Sequence, residues 1–104
     1  MKKLTLSAAL LGSMFAVGAY AAKMTGVISD SKCGTAHSTA SAAAKQCVTK
    51  CVKAGNEPVF VSNGKVYQIA KSSQSKVMSH LGDQVTVNAK KKGDTITIQS
   101  IKAD

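Results

Sequence analysis

The dipeptide Asn63-Gly64 stands between two β-rich runs in the stretch "PVFVSNGKVYQIA". A two-residue turn of type I′ needs positive φ at both central positions, and asparagine and glycine adopt that conformation at the lowest cost. The pair therefore predicts a β-hairpin, with Pro58 opening its first strand, where a missing N–H is tolerated. Phe60 and Tyr67 read as core or half-buried residues of that hairpin, since aromatic side chains suit a pleated, half-covered surface.

The rest of the pattern falls around this hairpin. "MTGVIS", residues 24–29, alternates weakly and predicts a first strand, with Gly26 marking a bend or a close backbone approach. A loop rich in Ser, Gly and Thr follows. In "ASAAAKQCVTKCVKAG", Ala44, Cys47, Val48, Cys51 and Val52 recur at helical spacing while Lys45, Lys50 and Lys53 lie off that stripe. Ser38, Thr39 or Ser41 can cap this helix and Gly55 can end it. After the hairpin, "KSSQSKVMSHLG" places Val77, Met78 and Leu81 at helical spacing between a serine cap and Gly82, which predicts a short second helix. Val85, Val87 and Ala89, then Ile96 and Ile98 past a Lys-Gly-Asp turn, alternate as a second hairpin. Ile101 breaks the phase by one and predicts a bulge or a new face near the end. Five strands with a short helix between the third and fourth match the OB-fold, a small partly open Greek-key β-barrel. The helix after strand one is an elaboration of that plan, and an open α+β sheet with the same order is the alternative.

The first residues constrain place. Lys2 and Lys3 form a positive n-region, Leu4 to Val17 an apolar h-region softened by Gly12 and Ser13, and Ala19-Tyr20-Ala21 a small-x-small cleavage pattern. Residues 1–21 are thus predicted to be a signal peptide and 22–104 a single domain, periplasmic or secreted. The apolar run falls short of the ~20 residues a bilayer core demands, so no span is expected after cleavage. The chain carries 14 basic residues against 5 acidic ones, net +9, and every basic residue is a lysine. Such a surface keeps a small exported domain well hydrated and suits an acidic envelope component as partner. Nucleic acid is a poor candidate: arginine forks are missing, and only Phe60 and Tyr67 remain as stacking platforms after cleavage.

The local chemistry is the pattern C-x3-H-x9-C-x3-C, formed by Cys33, His37, Cys47 and Cys51. Three thiolates and an imidazole are a recognised tetrahedral zinc set, and thiolate-rich sites also suit Cu(I). Cys47 and Cys51 lie one helical turn apart, so their sulfurs point the same way, and Gly34 allows Cys33 and His37 to turn in from the loop. A disulfide is the competing reading. Helical geometry keeps the Cβ atoms of Cys47 and Cys51 ~5–6 Å apart, more than the ~3.5–4.5 Å a bridge requires. Cys33 with Cys47 or Cys51 is the pairing left, closing a loop of ~15 residues for ~3 kcal/mol. Thiol-redox or nucleophilic chemistry is a third possibility, with His37 as base to Cys33 and Asp30 as the orienting group, although no C-x-x-C is present. Haem attachment would need C-x-x-C-H, which is absent, and no nucleotide cofactor is expected. His80 reads as a surface or helix-end residue, and Lys90 to Lys92 as a solvated turn.

The segments "SDSKCGTAH", "CVTKCVKAG" and "PVFVSNGKVYQIA" resemble a family of small exported bacterial proteins that share an SDxxCGxxH segment, a C-x3-C helix and an OB-like strand pattern. The likeness covers nearly all of the chain after the signal. It implies export and an OB-like fold and brings no assigned activity. The combined reading is a non-enzymatic exported domain whose Cys33, His37, Cys47 and Cys51 bind zinc or copper or form a structural disulfide. A basic binding module and a thiol-redox protein are the alternatives. Cleavage at the predicted site should yield a mature chain starting at Ala22 or Lys23. Intact-mass measurement of the exported protein checks this, and bulk protein retaining Met1 would overturn it.

Overall fold

Asn63 and Gly64 adopt φ of 53° and 75°, the left-handed pair that the turn requires. They join β2 (Pro58–Ser62) to β3 (Lys65–Ile69), with Phe60 opposite Tyr67 and Val61 opposite Val66. The computed structural model describes residues 21–37 and 39–104. Residues 1–20 of the predicted signal peptide, and Ser38 among the possible helix caps, lie outside the described residues.

The described residues are mainly β, with five strands in one sheet. β1 (Ala21–Asp30) is longer than its sequence pattern suggested because it serves two neighbours. Its residues from Ala21 to Val27 run antiparallel to β4 (Gln84–Lys92), and those from Val27 to Asp30 run antiparallel to β2. β4 pairs antiparallel with β5 (Thr95–Ala103), and β5 meets β3 in a short parallel contact at Gln68–Thr95 and Ile69–Ile96. The order β1-β2-β3-β5-β4 thus returns to β1, and the sheet closes on itself. Closure leaves no long unpaired edge.

Gly26 makes the handover in β1 possible. A Cβ there would collide with the carbonyl oxygen of Val61 and crowd the Phe60 ring at 2.9 Å. The expected bulge is present: Asn88 faces Ser100 and Ala89 faces Ile98, so Gln99 is the extra residue and Ile101 returns to the inner face opposite Val87. Lys90 to Lys92 continue β4 as exposed strand residues, and the turn itself is Gly93-Asp94, with Gly93 at φ 61°. Inside the sheet, Ile28, Phe60, Tyr67, Ile69, Val85, Val87, Ala89, Ile96 and Ile98 form the core with Val48, Val77 and Leu81.

Two helices dress the sheet. α1 (Ala42–Lys53) starts at Ser41, whose Oγ accepts the Ala44 N–H at 3.0 Å, and closes through Ala54 into Gly55 at φ 108°. Ala44 and Val48 are its buried positions. Its first turn rests on the loop before β4, where Gly82, at φ 78°, lies so close to the Lys45 backbone that a Cβ would collide with it. Lys45 Nζ also meets Asp83 Oδ1 at 2.9 Å, an exposed pair that stabilises little.

The second helix departs from expectation in two ways. It stops at α2 (Lys71–Val77) and passes into a 3-10 turn, Met78–His80, which leaves Met78 exposed while Val77 and Leu81 are buried. No serine caps it; the N-cap is Ala70. Ser73 instead faces inward, where its Oγ accepts the Ile98 N–H at 2.9 Å and donates to the Ile98 carbonyl at 3.4 Å. β3 has ended at Ile69, so this hydroxyl takes the place of a missing strand. Among the described residues, no helix is long and apolar enough to cross a membrane.

Replacing Gly26 with alanine should lower stability by about 1–3 kcal/mol or more, because the obstructing atom is backbone rather than a flexible side chain. Urea denaturation measures it; an unchanged midpoint would show that β1 does not need this close approach.

Candidate metal centre

The site grows from the end of β1. Asp30 is fully buried, and its Oδ2 accepts the backbone N–H groups of Lys32 and Cys33, each at 3.0 Å. An aspartate that bonds its own chain two and three residues on fixes a tight turn. Ser29 adds a bond from Oγ to the Gly34 carbonyl at 2.9 Å, and the Ser31 N–H donates to the Glu57 carbonyl at 2.8 Å. Gly34, at φ 53°, then opens a single 3-10 turn, Gly34–His37, within a segment expected to be irregular. The Ala36 N–H donates back to the Cys33 carbonyl at 3.0 Å. Cys33 and His37 are thereby held on one short, braced loop.

The other half of the site comes from α1. Cys47 and Cys51 share a helix face beside the buried Val48, and the end of that helix is secured by Asn56, whose backbone N–H and Nδ2 donate to the Cys51 carbonyl at 3.1 and 3.0 Å. All three cysteines are half-buried free thiols. The bridge between Cys33 and a helix cysteine is not formed; the three sulfurs converge instead, all within 4.8 Å of one another. Two sulfurs on a tetrahedral zinc with 2.3 Å bonds lie about 3.8 Å apart. Closing the thiols around an ion therefore takes shifts of about 1 Å or less.

The structure divides the predicted four-residue set. His37 groups with Cys33 and with Asp30, again with ligand atoms within 4.8 Å, rather than with the helix cysteines. Two triads result, Cys33–Cys47–Cys51 and Asp30–Cys33–His37, and Cys33 belongs to both. Sequence alone gives Asp30 only the role of orienting a Cys–His pair. Its place three residues before Cys33, as the anchor of a turn, is the signal that brings it into the cluster. His80 lies elsewhere, in the turn after α2.

Two buried polar atoms have no hydrogen-bond partner among the described residues: Asp30 Oδ1 and His37 Nε2. Both belong to the second triad. Unpaired groups of this kind are costly and uncommon in folded proteins.

The electrostatics oppose a nucleophilic role. Loss of solvation, then the Asp30 charge and the neighbouring Cys47 and Cys51, push the Cys33 thiol up to about 11. Cys51 is raised as well, first by desolvation and then by Asp30 and Cys47. Reactive cysteines sit in electropositive surroundings that lower the thiol pKa. Here negative groups crowd together, an arrangement that a cation would reverse.

No protein family matches the chain, and neither a curated protein nor a solved structure is similar to it. The chemistry is carried by the residues alone.

A consequence follows for pH. In the reduced, metal-free protein, alkylation of Cys33 by iodoacetamide should rise with a midpoint at about pH 11, whereas an unfolded thiol has its midpoint at 9. Because the folded thiol ionises later than the unfolded one, its effect on stability is flat below pH 9 and becomes a loss between 9 and 11. Peptide mapping by mass spectrometry gives the site-resolved rates; a plateau for Cys33 at or below pH 9 would contradict the crowding.

Proposed function

We propose that this chain is an exported, OB-fold-like, non-enzymatic domain that binds a soft cation, zinc or Cu(I), through Cys33, Cys47 and Cys51. The observation that carries the reading is the convergence of three free thiols, from two separate elements, within 4.8 Å. Neither a packing role nor a single disulfide calls for a third sulfur at the same point. Thiolates are the ligands that select Cu(I) and zinc over harder cations. His37, the fourth member of the set expected from sequence, stands next to Cys33 and Asp30, outside this group of three thiols.

Export supports the same chemistry. An oxidising compartment pairs free thiols as disulfides, and ligation to a metal keeps clustered thiolates from that fate. The three-part signal pattern supports export. A sheet ordered β1-β2-β3-β5-β4, closed by a short parallel β3–β5 contact and with α2 between β3 and β4, supports the OB-like reading, as does the resemblance drawn from the sequence.

Ligand thiols must lose their protons, so uptake should release protons and tighten as pH rises from 6 to 8. Competition of the reduced protein against a chromophoric chelator for zinc and for Cu(I) measures the affinity. Cys47→Ser and Cys51→Ser should each weaken binding by more than the roughly 10–100-fold that loss of an outer-sphere contact costs. Absence of uptake of both metals, or serine variants that bind as wild type does, would overturn the reading.

A further inference from the structure

We propose that the cluster holds two cations rather than one, the second bound by Asp30, Cys33 and His37 with the Cys33 thiolate as bridge. This inference rests on the metal-binding reading of the three cysteines and adds a second site to it. Its basis is geometric. Cys33 is the one residue common to both triads, and each triad gathers its ligand atoms within 4.8 Å. A thiolate has lone pairs for two metals, and Cys33 is the member that the helix thiols and the Asp30–His37 pair share.

The second triad also shows what a missing ligand leaves behind. Asp30 is 0 % exposed, yet only its Oδ2 is satisfied, by the Lys32 and Cys33 N–H groups. Oδ1 and His37 Nε2 are both buried without partners among the described residues. Neither of the two ion pairs among those residues, Lys45–Asp83 and Lys65–Asp94, reaches this carboxylate. A cation at this point supplies the partner that the buried Oδ1 lacks. A carboxylate oxygen, a thiolate and an imidazole nitrogen are all ordinary zinc ligands, and three protein ligands leave a fourth position open. Ligand atoms on tetrahedral zinc lie about 3.3–3.8 Å apart, again within about 1.5 Å of the spread seen here.

Charge balance favours two ions. Three thiolates and one carboxylate carry four negative charges, and His37 binds as neutral imidazole. One divalent ion would leave two of those charges uncompensated in a half-buried site; two divalent ions neutralise all four.

Zinc alone is the probe. The reduced protein is titrated with Zn2+ and the zinc-to-protein ratio is read by native mass spectrometry at saturation, with stepwise constants from chelator competition. The expected ratio is two for wild type and one for His37→Ala and Asp30→Asn, with the second step weakened at least tenfold and the first retained. Asn keeps an acceptor for the two loop N–H groups, and far-UV circular dichroism of the zinc-free variants checks that the fold is intact; His37→Ala, outside that turn, gives the answer if Asp30→Asn does not fold. Saturation of wild type at one zinc overturns the second site while the three-thiol reading stands. Two zinc ions retained in His37→Ala likewise overturn it. No zinc bound by wild type overturns the second site, and the three-thiol reading then falls only if Cu(I) is not taken up either.

Discussion

Much of this structure hangs on one carboxylate. Asp30 ends β1 at the point where that strand, having paired with β4 and then with β2, leaves the sheet. Its Oδ2 takes up the first free N–H groups of the departing chain, those of Lys32 and Cys33, and so sets the direction in which Cys33 and His37 are presented. The same residue faces Pro58 at the mouth of β2, completely buried. A buried aspartate is an expensive way to make a turn when an exposed asparagine or serine can do it. Its position makes sense when the second oxygen has a task of its own: Oδ1 is buried without a partner, and the carboxylate groups with the Cys33 thiol and the His37 imidazole.

The strands were legible in the sequence because their signals are local. Asn63-Gly64 can satisfy its backbone in few ways, the Val85, Val87, Ala89 alternation has one buried face, and the slip at Ile101 is the arithmetic of an inserted Gln99. Ser41 and Gly55 bound α1 as capping chemistry dictates. What escaped was decided by tertiary context. Ser73 resembles a cap in sequence, but β5 has unpaired backbone groups at Ile98 once β3 stops, and a hydroxyl there gains two hydrogen bonds rather than one. Met78 fits the helical stripe of its neighbours, yet the chain tightens into a 3-10 turn after Val77 and turns it outward. The parallel β3–β5 contact depends on where a distant strand lands and has no local signature.

The site was legible to a similar degree. Cys33, His37, Cys47 and Cys51 were recognisable as a set by residue type and spacing, and the thiols do meet. Spacing alone could not assign His37 to a side of the cluster. A histidine four residues after a cysteine reaches different places from a loop and from a helix, and here a 3-10 turn begun by Gly34 sends it toward Asp30. In the sequence Asp30 stands out only as an orienting group for a Cys–His pair, because its burial, which leaves Oδ1 without a partner, is a property of the fold.

The arrangement also bears on stability. A domain this small has a modest core, and α1 reaches the sheet through few side chains: Val48 enters the core, and the Lys45 backbone rests on Gly82. Without a cation, the loop after β1 and α1 meet across thiols, of which Cys33 and Cys51 resist ionisation, first because they are desolvated and then because Asp30 and the other sulfurs are near. A cation converts the same contact into several ligand bonds between two elements far apart in sequence. Because the unfolded chain cannot assemble these ligands, the binding free energy adds to folding and grows with the logarithm of free metal above the dissociation constant. The strands close the sheet through backbone pairing and a filled interior to which α1 adds Val48; the helix is the part whose attachment a bound cation would strengthen. Metal binding would thus act first on α1 and the Cys33–His37 loop, locally and reversibly, while the sheet beneath them keeps its register.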